Sequence, residues 1–152
     1  MIYRFLFLFV NYTVCMNIIC IIDNHNGMLF NHRRLSQDHV LNQKILEISQ
    51  YTTLRMSAYS EELFETLSDN VIVSDDFLED AEPGDICFVE DRSLKPYGNR
   101  IDTFYLFHWN RSYPSDLKLD FLPSENHFSL RKTEDFAGSS HDDITLEIWQ
   151  KS

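Results

Sequence analysis

The stretch Met16-Asn17-Ile18-Ile19-Cys20-Ile21-Ile22-Asp23 decides the fold of this chain, because it is an almost continuous apolar run that ends on a polar residue. Such a run is typical of a strand that is covered on both faces, as in a largely parallel sheet. The following Asn24-His25-Asn26-Gly27 supplies a turn, in which we expect Gly27 to adopt a positive φ. The sequence therefore predicts a buried first strand.

Helical and extended patterns alternate after this strand. An apolar repeat at helical spacing runs from Val40 to Ile48, and we expect this helix to begin at Ser36, with Asp38 in its first turn. A shorter helix is expected after Ser60. The other predicted strands are bounded by polar turns: Thr52–Met56, Val71–Val73, Ile86–Val89, Ile101–Trp109, Leu117–Phe121, Phe128–Arg131 and Ile144–Gln150. Residues 16–152 are therefore predicted to form a single α/β domain, with a mixed, mostly parallel sheet, flanking helices and an antiparallel C-terminal edge.

Composition limits the classes of function. The chain has 152 residues, of which 43% are hydrophobic and 14% aromatic, so it can bury a core. Its formal net charge of −11 repels phosphate backbones at long range, and general nucleic-acid binding is not expected. A small molecule or a protein is the expected partner, with no membrane interaction, and the composition leaves the oligomeric state open.

The first fifteen residues differ from the rest. An apolar run, Phe5–Val10, follows Arg4, but it is too short to span a bilayer and no signal-peptide cleavage site follows it. We expect residues 1–15 to be a mis-annotated start, with translation beginning at Met16, or a disordered extension. Three cysteines without paired spacing indicate buried free thiols at Cys20 and Cys87, which favours a reducing, cytoplasmic compartment.

Residues 61–91 contain twelve Asp or Glu and no Lys or Arg. A run of this kind is usually a solvated face, although it could also receive a basic partner or a divalent metal. The group Asp75, Asp76, Glu79 and Asp80 lacks the spacing and the glycine of a calcium-binding loop, and the six histidines form no zinc motif. No metal site is predicted.

The element order and several short strings resemble the dihydrofolate reductase fold. These strings are Asp23-Asn24-His25-Asn26-Gly27-Met28, Leu35-Ser36-Gln37-Asp38, Arg55–Ser60 with Leu63 and Phe64, Phe104–Trp109, Asp116–Phe121 and Glu147–Lys151. The resemblance implies that Asp38 matches the carboxylate with which that family binds a pterin. The alternative is that Asp38 is an ordinary acidic residue at the start of a helix.

The same resemblance shows departures where those reductases hold a nicotinamide cofactor. Glu90-Asp91 replaces a Gly-Gly pair whose backbone meets the cofactor's pyrophosphate, and two desolvated carboxylates there would repel phosphates strongly. Ala58 replaces the family's phosphate-binding arginine, and its neighbour Ser57 replaces a glycine. Phe107 replaces a threonine that steadies the pterin-binding acid. We therefore predict no cofactor, with NADPH disfavoured by Glu90, Asp91 and Ala58.

A second resemblance is to small bacterial proteins of about this length. It rests on three strings: Gly27–Arg34, Trp109–Asp116 and Glu134–His141. Some of those proteins carry the name ribonuclease Z. That enzyme class needs a His-x-His-x-Asp-His metal box, which this sequence lacks, so the name does not transfer.

The function favoured by these patterns is a non-redox binding or regulatory domain for a small anionic ligand. The expected place is the crevice at the carboxyl ends of the parallel strands. The polar residues expected there are Asp23, Asn26, Arg33, Arg34, Asp38, Asn110, Arg111 and His141. Convergence of Arg33, Arg34 and Arg111 would point to an anion.

Two enzymatic alternatives remain open at this point. One is an NAD(P)H-dependent reductase with an altered cofactor site. The other is a metal-dependent nuclease that uses the carboxylates of Asp23, Asp38, Glu90 and Asp91. Asp38 is the one weak candidate for a catalytic residue.

Overall fold

The computed structural model describes residues 15–152, so the prediction for the first fifteen residues falls outside this range except at Cys15. The strands are β1 (Met16–Ile22), β2 (Gly27–Phe30), β3 (Arg33–Arg34), β4 (Leu54–Met56), β5 (Val71–Val73), β6 (Ile86–Phe88), β7 (Ile101–His108), β8 (Leu117–Lys118), β9 (Phe128–Phe136) and β10 (Ile144–Lys151). The helices are α1 (His39–Ile48) and α2 (Ala58–Glu61), with 3-10 turns at Lys95–Arg100 and Pro123–Glu125.

Seven strands form the main sheet in the order β5-β4-β6-β1-β7-β10-β9. The pairs from β5 to β7 are parallel, whereas β10 pairs antiparallel with both β7 and β9. β1 lies at the centre, with Ile18 opposite Cys87 on one side and Phe104 on the other. The predicted α/β class, with its parallel centre and antiparallel C-terminal edge, is confirmed.

The alternation of side chains along β1 builds two cores, one on each face of the sheet. Ile19 packs on one face with Leu41 and Ile45 of α1. Ile18 and its even-numbered neighbours pack on the other face, where residues 77–81 and 119–122 cover them without an α-helix from the described part of the chain. Part of the acidic run 61–91 is thus a core segment, in which the charged residues flank the buried Phe77 and Leu78.

The first helix begins later than the sequence predicts, and the second begins earlier. The N-cap of α1 is Asp38, not Ser36, because the Asp38 carboxylate accepts the first amides of the helix while the Ser36 hydroxyl bonds elsewhere. The N-cap of α2 is Ser57, not Ser60. The second helix is therefore a single turn, and the apolar residues that follow it pack on the core from irregular backbone.

A second sheet was not expected. It contains three strands in the order β3-β2-β8, and β3 lies in a segment for which the sequence predicts no strand. Asn31 and His32 join β2 to β3 with φ values of 51° and 62°, which is the backbone of a tight two-residue hairpin. Sequence reasoning missed this hairpin because Asn-His lacks the glycine that usually marks such a turn.

The turn after β1 also corrects a prediction. Asn26 has a positive φ of 65°, and Gly27 does not. Gly27 is instead needed for space, because a Cβ there would lie 2.6 Å from the Oγ of Ser115.

Cys20 and Cys87 are buried with free thiols, as the apolar runs around them indicated. Burial raises the pKa of both thiols, that of Cys87 to about 12. Within residues 15–152, no helix has the length and apolar character that crossing a bilayer requires.

Candidate functional site

The Asp38 carboxylate joins the start of α1 to the loop between β9 and β10. One oxygen, Oδ1, accepts the amides of Val40 and Leu41 at 2.9 and 3.2 Å and that of Ser139 at 3.1 Å. The other, Oδ2, accepts the Ser140 amide at 2.8 Å. Although burial opposes the charged form, these amides hold the pKa of Asp38 well below its ordinary value. The side chain is therefore a buried anion with its acceptors already occupied.

His141 continues the network from Asp38 into the molecule. Its Nδ1 lies 3.2 Å from Asp38 Oδ2, and its Nε2 lies 2.9 Å from the Ser36 hydroxyl and 3.2 Å from the Tyr113 hydroxyl. The Trp109 ring covers the imidazole at a centroid distance of 4.6 Å. The anion on Asp38 favours a proton on Nδ1, which leaves Nε2 as an acceptor for the two hydroxyls.

Gly138 allows this loop to approach Asp38. A Cβ built at Gly138 would lie 2.3 Å from Asp38 Oδ2, far inside contact distance, so any side chain here would push the loop away. The Gly138 amide also bonds to the carbonyl of His141 at 2.8 Å, which closes the loop on itself.

A second buried carboxylate, Glu90, lies just beyond the end of β6 and pairs with Arg34. The guanidinium donates from Nε and Nη2 to the two carboxylate oxygens at 3.0 and 3.1 Å. Ser60 donates its hydroxyl to the same carboxylate at 2.9 Å, and the Arg34 guanidinium stacks 4.3 Å from the Tyr59 ring centroid. The pair is bidentate and largely removed from water.

An open cleft of about 480 Å³ lies beside this pair. Its lining residues come from the β2–β3 hairpin and from the segment after β7: Phe30, Asn31, Arg33, Arg34, Leu35, Tyr113 and Pro114. Arg33 is exposed and has no carboxylate within 4.0 Å among residues 15–152. The cleft therefore combines an unneutralised cation with aromatic and apolar walls.

Of the eight residues expected at the site, the structure brings two pairs together. Asp38 contacts His141, and Arg33 shares the cleft wall with Arg34. Arg111 is exposed and does not line the cleft, so the three arginines do not all share this wall.

Three of the other expected residues, Asp23, Asn26 and Asn110, stabilise turns. Asp23 is buried and accepts the amides of His25, Gly27 and Tyr113 at 2.7 to 2.9 Å. Burial opposes the charged form of Asp23, but these hydrogen bonds stabilise that form and lower the pKa of the carboxyl from its ordinary value. Asn110 has a positive φ of 58° and donates to Thr145 and to the Asp143 carbonyl, while the Asn26 carbonyl accepts the Leu119 amide.

The four carboxylates of the nuclease alternative have separate partners. Asp23 and Asp38 accept backbone amides, Glu90 pairs with Arg34, and Asp91 pairs with Arg92 at 2.9 Å. Among residues 15–152, no group of three or more His, Cys, Asp or Glu side chains is arranged to hold a metal ion.

Those ion pairs also change the electrostatic argument about Glu90-Asp91. Each carboxylate has an arginine partner, so the two do not present an unpaired double negative charge to a phosphate. Glu90 contacts Arg34 and Ser60, and the Tyr59 ring lies against the Arg34 guanidinium.

Several residues that complete these networks were not expected at the site, among them Ser36, Tyr59, Ser60 and Tyr113. Ser36 was expected to begin the helix, and no local pattern indicates its contact with His141, which is 105 residues away along the chain. The others could not be found, because their partners are separated from them by at least 25 residues along the chain.

Comparisons with known proteins identify the fold. The sequence matches no protein-family model and no curated protein. Among solved structures it is similar to a dihydrofolate reductase from Enterococcus faecalis, complexed with NADP(H) and RAB-propyl, with a TM-score of 0.62 and 10% identity. The match covers 91% of this chain and 96% of that chain. The predicted dihydrofolate reductase-like fold is confirmed, and nothing in the comparisons supports the name ribonuclease Z.

Proposed function

We propose that this chain is a non-redox binding domain on a dihydrofolate reductase-like fold, and that it takes a small anionic ligand in the cleft beside the β2–β3 hairpin. The observation that carries the proposal is the exposed Arg33 on the wall of a cleft of about 480 Å³ that also contains Phe30 and Tyr113. Ligand pockets typically combine apolar walls with a few polar anchors.

Arg33 supplies the charge that an anion would meet. Arg34 is already neutralised by Glu90, so its role is to support the wall. The net charge of −11 opposes the approach of an anion at long range, but screening limits that field to about 8 Å at physiological salt, and a direct guanidinium contact acts well within this distance.

The Arg34–Glu90 pair at the end of β6 is the reason that a nicotinamide cofactor is not part of the proposal. A diphosphate approaching the end of β6 would have to displace the bidentate Arg34–Glu90 pair and the Tyr59 ring stacked on it. Breaking a buried pair of this kind costs about 3–5 kcal/mol.

The experiment is a thermal-unfolding screen with inorganic phosphate, nucleoside monophosphates, folates and NADPH. A ligand that binds only the folded state raises Tm by mass action. We expect at least one of the first three classes to raise Tm and NADPH to leave it unchanged.

The location is tested by Arg33→Gln, which should weaken binding about tenfold through the loss of a charge-assisted hydrogen bond. Arg131→Gln is the matched control, because Arg131 is exposed on β9 and the charge change is the same. Equal weakening in both variants would contradict the cleft as the site. A Tm rise with NADPH alone would favour the reductase.

A further inference from the structure

The network around His141 has a feature that ligand binding does not need. A serine hydroxyl, an imidazole and a carboxylate follow one another in hydrogen-bond contact: Ser36 Oγ lies 2.9 Å from His141 Nε2, and His141 Nδ1 lies 3.2 Å from Asp38 Oδ2. These are the contacts by which a histidine activates a serine and a carboxylate orients the histidine. We propose that Ser36, His141 and Asp38 form a nucleophilic triad that hydrolyses small carboxylic esters.

The orientation of the imidazole supports the assignment of roles. Asp38 is buried and its backbone amide donors favour the anion, so it can accept a hydrogen bond from Nδ1 of His141, which also lies 3.0 Å from the Ser140 hydroxyl. The Trp109 ring packs against the imidazole at an interplanar angle of 31° and restricts its rotation. With Nδ1 protonated, Nε2 has its lone pair directed at the hydroxyls, as a general base requires.

Two hydroxyl groups contact Nε2, and the one on Ser36 is the nucleophile. It lies outside any helix or strand and is half-buried, and it lines a narrow crevice together with Leu35 and Trp109. Leu35 also lines the wider cleft, so the crevice and the cleft share a wall. The space in the crevice is about 10 Å³, about the room that one water molecule needs, so an ester has to reach Ser36 from the wider cleft.

Backbone donors are present next to the nucleophile. The amides of Ser36 and Gln37 have no hydrogen-bond acceptor among residues 15–152. A developing oxyanion is stabilised by donors of this kind, and removal of one such donor typically costs a factor of about 100 to 1,000 in rate.

The reaction balances with water as the only co-reactant. Ser36 Oγ bonds to the ester carbonyl carbon while its proton passes to His141 Nε2. The bond to the alkoxy oxygen breaks as that proton is delivered to it, and the alcohol leaves. Water then gives its proton to Nε2 and attacks the acyl group, which releases the carboxylic acid and restores the Ser36 hydroxyl.

The test is covalent labelling of the full chain with a fluorophosphonate, read by intact mass and peptide mapping, together with the hydrolysis of p-nitrophenyl acetate. We expect one label, on Ser36, none on Ser36→Ala, and a labelling rate at least about 100-fold lower in His141→Gln. Ser129→Ala is the matched control: Ser129 is also half-buried, but its hydroxyl bonds to Ser152.

Failure has distinct signatures. The absence of a label on the folded wild-type chain, or a label on Tyr113 or another serine, would overturn the assignment. If His141→Gln does not fold, the pair Ser36→Ala and Ser129→Ala decides alone, since each removes only one hydroxyl. Neither the fluorophosphonate nor p-nitrophenyl acetate carries a charge, so the result does not depend on anion binding at Arg33.

Discussion

Asp38 and Glu90 are both buried carboxylates in the same fold, and they are neutralised by different kinds of group. Asp38 accepts amides from the start of α1 and from the β9–β10 loop, with one histidine. The donors to Glu90 among residues 15–152 are side chains, chiefly Arg34. Backbone donors cannot rotate away without unfolding their segment, whereas a side chain can change rotamer. Asp38 is therefore a fixed point of the scaffold, whereas the Arg34–Glu90 pair beside the cleft is held by side chains.

The comparison is tested most strongly by Asp38→Ala. The variant removes the helix cap and leaves several buried donors without an acceptor, so we expect a loss of about 4 kcal/mol in the free energy of unfolding. Urea denaturation measures it. Asp142→Ala, at an exposed aspartate beside the same loop, is the control and should change stability by less than about 0.5 kcal/mol. Similar losses in both variants would contradict the role of Asp38 as a fixed point.

The variant Glu90→Leu tests the Arg34–Glu90 pair. Alone it leaves the Arg34 charge unpaired in a mostly buried place, and we expect a loss of about 3 kcal/mol. The double variant Glu90→Leu with Arg34→Met replaces the pair by apolar side chains and should recover to within about 1 kcal/mol of the wild type. Urea denaturation of the two variants decides the point, and failure of the double variant to recover would place Glu90 in the same class as Asp38.

Gly138→Ala should cost about 2 kcal/mol, because the added methyl group meets both oxygens of the Asp38 carboxylate. A double-mutant cycle with Asp38→Ala measures the coupling. The clash disappears once the carboxylate is removed, so the loss in the double variant should be clearly less than the sum. Simple additivity would show that the loop does not depend on Asp38. Ala137→Ser, at the exposed neighbour, is the control.

The smallest expected effect is on acid stability. The pKa of Asp38 is lower in the folded than in the unfolded chain, so its contribution is complete above the unfolded value of about 4 and is lost as pH falls towards the folded value. Asp38→Asn keeps an acceptor for the helix amides but cannot ionise. We expect the variant to lose about 1 kcal/mol at pH 7 and to converge with the wild type in acid. Parallel curves of stability against pH would contradict this.

The sequence was a good guide to the fold where local pattern and tertiary packing agree. The apolar run of β1, the helical repeat of α1 and the Val71–Val73 strand occur within one or two residues of their predicted places. The hairpin between β2 and β3 was missed, because its turn relies on Asn31 and His32 in a backbone conformation that glycine usually signals.

The candidate site was predictable only in part. Asp38 and His141 were singled out separately, but their contact spans 103 residues and depends on the pairing of β9 with β10. Arg34 was expected to face a ligand, and its partner Glu90 was expected to repel the phosphates of a cofactor. No local pattern reveals that two such charges, 56 residues apart, bind each other.

The two faces of the main sheet are covered by different kinds of structure, and this difference determines where the molecule opens first. α1 protects one core through its own continuous hydrogen bonds, whereas the other core lies beneath Phe77, Leu78 and neighbouring irregular segments. Partial opening should therefore begin on that second side, with amide protons of residues 75–84 exchanging with solvent sooner than those of β1. The native state would then open transiently at residues 75–84, while α1 and the β9–β10 loop stay folded.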